Sequence, residues 1–227
     1  MGSTATSPHP SVAVPIGRRQ RRRAETRERI FRAALALFAE HGFTKTTVEE
    51  ITEAADVGKG TFFNYFRNKE DVLSALAEVQ LDKYAHAIRA AESGALTPRH
   101  ALRELWRRLP EEPGRSQALV RSLMVAFLTS PAVREKMTCS LEQGREMLAR
   151  LFALAQARGE ARRDRRPLEL ALAFQQKLLG TVLVWTLHPP TPLKTWLEAS
   201  FEDFWRGAGG QASKPGPRVR IRNGGRS

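Results

Sequence analysis

The stretch that decides the fold is "ADVGKGTFFNYFRNKE", Ala55–Glu70. Four aromatic rings (Phe62, Phe63, Tyr65 and Phe66) fall within five positions, between a Gly-Lys-Gly turn and a Lys-Glu pair. A small core can use two of them, and the others need a different partner. Outward from this segment the pattern is helical. Upstream, Ile30, Ala34, Leu37, Phe38 and His41 recur at i, i+4, i+7, i+8 and i+11, and Gly42 stops the run. Thr47 then precedes Val48 with Glu50 three residues on, the pattern in which a hydroxyl and a carboxylate cap a helix start reciprocally. Val48, Ile51 and Ala55 form an apolar face, and Asp56-Val57-Gly58 breaks it. A short helix over 59–66 follows, and Asn68 with Asp71 starts another that runs to Ser93-Gly94. Two short helices joined by a Gly-containing turn make a helix-turn-helix, whose second helix enters a DNA major groove. Phe38, Ile51, Val57, Phe62 and Phe66 suffice for its minimal core.

The charge agrees with a polyanionic partner. The chain has 227 residues and a formal net charge of +13. Ten of the basic residues lie in two segments without any acid: Arg18, Arg19, Arg21, Arg22 and Arg23 near the start, and Lys214, Arg218, Arg220, Arg222 and Arg226 near the end. The part between is nearly balanced, so the excess sits in two arms. Such arms suit nucleic acid better than a membrane, the bland alternative being that they aid solubility. The division expected is a disordered basic arm over 1–23, a helix-turn-helix head over 24–70, a helical body over 71–206 and a disordered basic tail over 207–227.

Beyond Gly94 helices are expected over 98–109, 115–129, 131–158, 167–187 and 191–206, and no run alternates with period two, so the class is all-α. The longest uncharged apolar stretch, Leu178–Leu187, is half the length that spans a bilayer. Residues 1–16 lack a signal-peptide core. The single Cys139 excludes an internal disulfide, fits a reducing cytoplasm, and reads best as a buried small hydrophobe. The five histidines have no metal-ligand spacing and no phosphate loop follows a strand, so no cofactor, metal or catalytic role is expected.

At this point Arg27–Leu73 resembles the DNA-binding half of TetR-type transcriptional regulators. The likeness is carried by "ALALFAEHGF", "TTVEEI", "GKGTFFNYF" and "NKE" in that order and spacing. This chain has Thr52, Asp56 and Gly58 where such regulators usually have Ala, Gly and Ser. Asp tolerates the left-handed conformation, so Asp56 is harmless, while Gly58 leaves the next helix without a side-chain cap. The resemblance implies that Phe62 and Phe66 are core and that Phe63, Asn64 and Tyr65 face DNA. Asn can bond an adenine edge at two points, and a ring can rest on a thymine methyl. Thr61 and Tyr65 suit phosphate, Gly60 lets the backbone approach, and Lys69 and Thr47 sit at helix starts where phosphate is welcome. Lys59, Arg22 and Arg23 complete the expected DNA-binding set, the last two reaching a minor groove. Glu49 and Glu50 are read as facing solvent or their own helix start.

The resemblance also implies a homodimer on an inverted-repeat operator, formed by the last two helices, with Leu179, Leu183, Leu193, Leu197 and Phe201 at the interface. Trp106, Met124, Phe127, Phe152, Phe174 and Gln175 are candidates for an apolar pocket that takes a small-molecule effector, core packing being the alternative for each. The function expected is a cytoplasmic, sequence-specific repressor released by a small apolar ligand. The alternative is an effector-independent architectural nucleic-acid binder that works through its basic arms.

Overall fold

The computed structural model describes residues 17–188 and 191–210. Residues 1–16, 189–190 and 211–227 lie outside it, and with them the first part of the proposed arm and nearly all of the proposed tail. Among the described residues the fold is all-α: α1 Arg18–Glu40, α2 Val48–Ala54, α3 Lys59–Phe63, α4 Lys69–Glu92, α5 Pro98–Arg108, α6 Gln117–Thr129, α7 Pro131–Ala157, α8 Pro167–Trp185 and α9 Leu193–Ala208. A short 3-10 turn, Pro113–Arg115, precedes α6. No described helix is long and apolar enough to cross a membrane.

The helix starts are local chemistry. Glu50 N–H donates to the Thr47 hydroxyl at 3.2 Å and Thr47 N–H donates back to the Glu50 carboxylate at 2.7 Å, which closes the expected capping box of α2. Asn68 accepts from Asp71 N–H at 2.9 Å and caps α4. Gly58 offers α3 no side-chain cap. Gly42 has φ +85° at the end of α1, and Asp56 takes φ 49° between α2 and α3 without a glycine.

Several boundaries differ from the sequence reading, three of them with structural consequences. Helix α1 begins at Arg18, so Arg18–Arg23 belong to a helix and not to a disordered arm. Arginine, glutamine and alanine are good helix formers, and each residue added to an existing helix gains a hydrogen bond. Helix α3 ends at Phe63 instead of continuing to Phe66; Tyr65 and Phe66 donate to Phe62 C=O at 2.9 Å in a turn that carries Phe66 into the core. Helix α9 runs two residues past 206, and Ala161 and Gly209 form an isolated bridge that ties its end to the α7–α8 loop.

Two apolar clusters hold the chain. One gathers Phe38, Ile51, Phe62 and Phe66 from α1 to the α3 turn with Val72 and Leu73 of α4, and it continues into Leu119 and Ala126 of α6 and Val133 of α7. The helix-turn-helix core is therefore closed by the body. The other surrounds Trp106, whose indole N–H donates to Leu197 C=O at 3.0 Å and whose ring meets Phe174, Phe201 and Phe204 at 4.7–5.7 Å. Leu197 and Phe201, expected at a dimer interface, lie inside this cluster at 4% and 1% exposure. They face α5 because the aromatic ring of Trp106 needs a wall on that side. Leu193 is half-buried, with its methyl against the turn at Gly114. Cys139 is exposed, contrary to the expectation of a buried thiol, because α7 turns that side of its first half to solvent.

Candidate nucleic-acid interface

Helices α2 and α3, joined by Ala55–Gly58, project from the first cluster. Phe62 is fully buried and stacks edge-on at 5.4 Å against Phe63, which is 54% exposed. Lys59, Gly60 and Asn64 are exposed, and Thr61 and Tyr65 are half-buried. Asn64 is the C-cap of α3, its N–H directed at Gly60 and Thr61 C=O, and its side chain leaves the helix end. An exposed phenylalanine on a short helix whose other face is core, beside an exposed asparagine at that helix's C-cap, is a surface that can read base edges and methyls.

The start of α1 comes to the same face. Gln20, Arg23, Ala24 and Arg27 line a groove of about 300 Å³ with Asn64 and Tyr65. The Arg23 guanidinium lies 5.8 Å from the Tyr65 ring centroid. Arg27 lies 5.5 Å from that of Phe66 and is held by Glu78 at 2.6 Å. Arg22 is exposed but outside this groove. The helical phase of Arg18–Arg27 thus brings Arg23 and Arg27, four residues apart, to the turn after α3. Arg27 was not singled out from the sequence; its spacing from Arg23 was the available signal.

Two of the expected phosphate ligands are committed elsewhere. The Lys69 ammonium donates to three backbone carbonyls, Phe43 at 2.8 Å, Thr44 at 3.1 Å and Thr46 at 2.8 Å, and sits 4.8 Å from the Phe43 ring centroid. A lysine has three donors, so none remains for phosphate. Lys69 instead pins the loop between α1 and α2. The Thr47 hydroxyl donates to Glu50 at 2.9 Å within the capping box. Lys59 pairs with Glu49 at 2.5 Å, and that bond from Lys59 holds the Glu49 carboxyl below its ordinary range. Glu49 therefore lies at solvent against Lys59, and Glu50 serves its own helix start, as read from the sequence.

Behind the head, α4, α6, α7, α8 and the α5–α6 connection line a partly open cavity of about 170 Å³, with Leu76, Gln80, Met124, Met137, Gln175 and Leu178 in its wall. Of the six residues expected in a pocket, Met124 and Gln175 line it. Trp106, Phe152 and Phe174 are fully buried in the second cluster, and Phe127 is half-buried away from the cavity. The three aromatic residues fill space against one another, with centroids 4.7–6.1 Å apart, so they have no free face. No cluster of three or more His, Cys, Asp or Glu side chains suited to a metal ion occurs among the described residues.

The profile of the family described as "Bacterial regulatory proteins, tetR family" matches residues 30–76, from the middle of α1 to the first turns of α4. The transcriptional regulator AcuR of Cereibacter sphaeroides is 34% identical over 175 residues, 74% of this chain and 80% of that protein. A crystal structure of regulatory protein TetR from Rhodobacter sphaeroides is 32% identical, with a TM-score of 0.63 over 81% of this chain and 98% of that chain. SmeT of Stenotrophomonas maltophilia, solved as a complex with triclosan, is 25% identical, with a TM-score of 0.66 over 86% of this chain and 100% of that chain.

Proposed function

The chain belongs to the TetR family of bacterial regulatory proteins and is a DNA-binding transcriptional regulator rather than an enzyme; on that premise we propose that it is a homodimeric repressor, released from an inverted-repeat operator by a small, largely apolar ligand. The observation that carries the proposal is the path between cavity and head. Leu123 and Met124 of α6 line the cavity, and Ser122 beside them accepts Phe43 N–H at 2.8 Å. Phe43 begins the loop that Lys69 pins. Helix α4 starts at that pin and then lines the same cavity with Leu73, Leu76 and Gln80. Lys136 of α7 bonds Asp71 in the first turn of α4 and Ser74 one turn later at 3.1 Å. A ligand that spreads α4 from α6 and α7 therefore tilts the element on which the reading helix is mounted. It shifts the population only to the extent that it binds one arrangement better.

In this reading Phe63, Asn64 and Tyr65 read bases, Gly60 and Thr61 meet the backbone, and Arg22 and Arg23 add minor-groove or phosphate contacts. The division into a head over 24–70 and a body over 71–206 is retained, with α1 extended into the basic arm. The second copy docks on α8. Leu168, Leu172, Leu179, Leu183 and Val184 are exposed on this 19-residue helix and Leu187 just past its end, apolar surface that a second copy would cover. The protein acts in the cytoplasm, where its DNA is. Triclosan bound to SmeT supports an apolar effector class for a relative of this fold.

Selection of bound sequences from a random duplex pool tests the reading. The expected product is an inverted repeat with half-sites about one helical turn apart or a multiple of it. Enrichment of no sequence would favour binding by the basic arms alone.

A further inference from the structure

Gln80 stands out among the buried polar groups. Its Nε2 and Oε1 are both buried, and neither meets a hydrogen-bond partner among the described residues; no other described side chain is left so. The amide lines the cavity between α4, α6, α7 and α8. The other polar side chains of the lining are Tyr84, Ser140 and Gln175, and no Lys, Arg, Asp or Glu is among them. Gln175 is already used: it accepts from Arg145 Nε at 3.0 Å and donates to Leu141 C=O at 2.8 Å. Gly144 allows the Tyr84 ring to lie against α7, since a Cβ there would sit 3.0 Å from the ring. A buried amide without partners loses its hydration and gains nothing in exchange, which destabilises the free protein. A ligand that supplies both partners removes that deficit on binding.

We propose that the cavity is a site for a small, uncharged lactam or primary amide, read by Gln80 through a paired N–H···O=C and C=O···H–N contact. The inference rests on the ligand-released reading above and names the chemical class of its ligand. Size follows from volume: an apolar protein cavity of about 150 Å³ accepts benzene, so about 170 Å³ takes one six-membered ring. Charge follows from the lining. A carboxylate or an ammonium would meet no counter-ion among the lining side chains, and Arg145 behind them is engaged with Gln175, so the charge would lose hydration without a direct partner. Burial pushes the Tyr84 phenol up to about 12, so it too is uncharged at neutral pH. The chemistry follows from Gln80, whose amide presents donor and acceptor side by side. Among uncharged rings the best complement is one with the same two groups on adjacent atoms in a cis arrangement.

The test uses the full chain, calorimetry, and two planar rings of one size: 2-pyridone, which carries the adjacent N–H and C=O, and benzene, which carries neither. Gln80→Leu keeps the bulk and helix preference and removes both unpaired atoms, so its melting temperature should equal or exceed that of the unchanged chain. Two hydrogen bonds predict that the 2-pyridone-to-benzene affinity ratio falls roughly ten- to hundredfold in Gln80→Leu. The ratio cancels differences in cavity volume between the two proteins. A ratio unaltered by the substitution overturns the proposal, as does benzene binding without 2-pyridone binding; both leave the cavity as a ligand site. Binding of neither ring overturns the proposal alone; the ligand-released reading stands or falls separately, on whether any small apolar ligand releases the protein from its selected operator.

Discussion

Replacing Lys69 by Met removes one charge and keeps the stem, so it separates a structural role from a DNA contact. Its ammonium bonds Phe43, Thr44 and Thr46 C=O at 2.8–3.1 Å, all in the loop between α1 and α2. A net hydrogen bond contributes about 0.5–1.5 kcal/mol, more when one partner is charged, and partial exposure reduces the gain. Three of them, with the contact to the Phe43 ring, predict a loss of roughly 2–3 kcal/mol. For a chain of this size that lowers the melting temperature by about 5–10 °C. Thermal melts of the unchanged chain and of Lys69→Met measure the loss, and operator titrations at several salt concentrations measure the ionic contacts. Affinity should fall through misplacement of α2 and α3, while the dependence of log K on log salt keeps its slope. An unchanged melt together with a salt slope lower by roughly one unit per site would show Lys69 to be a phosphate contact and would refute the assignment.

Asn64→Ala should cost about 1–3 kcal/mol per half-site on the selected sequence and leave random DNA nearly unaffected, whereas Phe62→Ala, which empties a fully buried position, should destabilise the protein by about 3–5 kcal/mol in a denaturant melt. Leu183 is 44% exposed on α8, so Leu183→Glu should give a folded monomer in sedimentation; Leu197→Glu and Phe201→Glu should fail to fold. Burial alone would raise the Asp71 carboxyl, but bonds from Lys136 and Arg67 N–H outweigh it and hold the group below its ordinary range. A lowered folded-state pKa contributes stability above the ordinary carboxylate range that is lost as pH falls through the folded value. Acid melts should therefore show a steeper loss below about pH 4 for the unchanged chain than for Asp71→Asn.

Much of the reading head was legible because its decisive bonds close within a few residues. Thr47 with Glu50, Asn68 with Asp71, the left-handed Asp56 and the stop at Gly42 all lie within one turn of chain, so residue type and spacing were enough to place α2, the turn and the start of α4. Phe62 and Phe66 fit the local core pattern, while the family resemblance places Phe63 outward, and the structure buries the first two and exposes the third. The sequence pattern could not place Lys69, because its three acceptors lie 23–26 residues away on a loop that only the folded head brings near. Nor could it separate core from pocket and interface in the body. Helix α8 is apolar nearly all round, so its period carries no phase: Leu179 and Leu183 point outward while Phe174 and Leu178 point inward. The docking of α5 and α9 around Trp106 decides that phase. It draws Leu197 and Phe201 inward, fills the space beside Phe152 and Phe174, and leaves the cavity to Met124, Gln175 and Gln80. Local sequence determines where helices begin and end because capping is a short-range hydrogen bond; which face of an all-apolar helix meets solvent, a ligand or a second copy is settled by the angles at which distant helices pack.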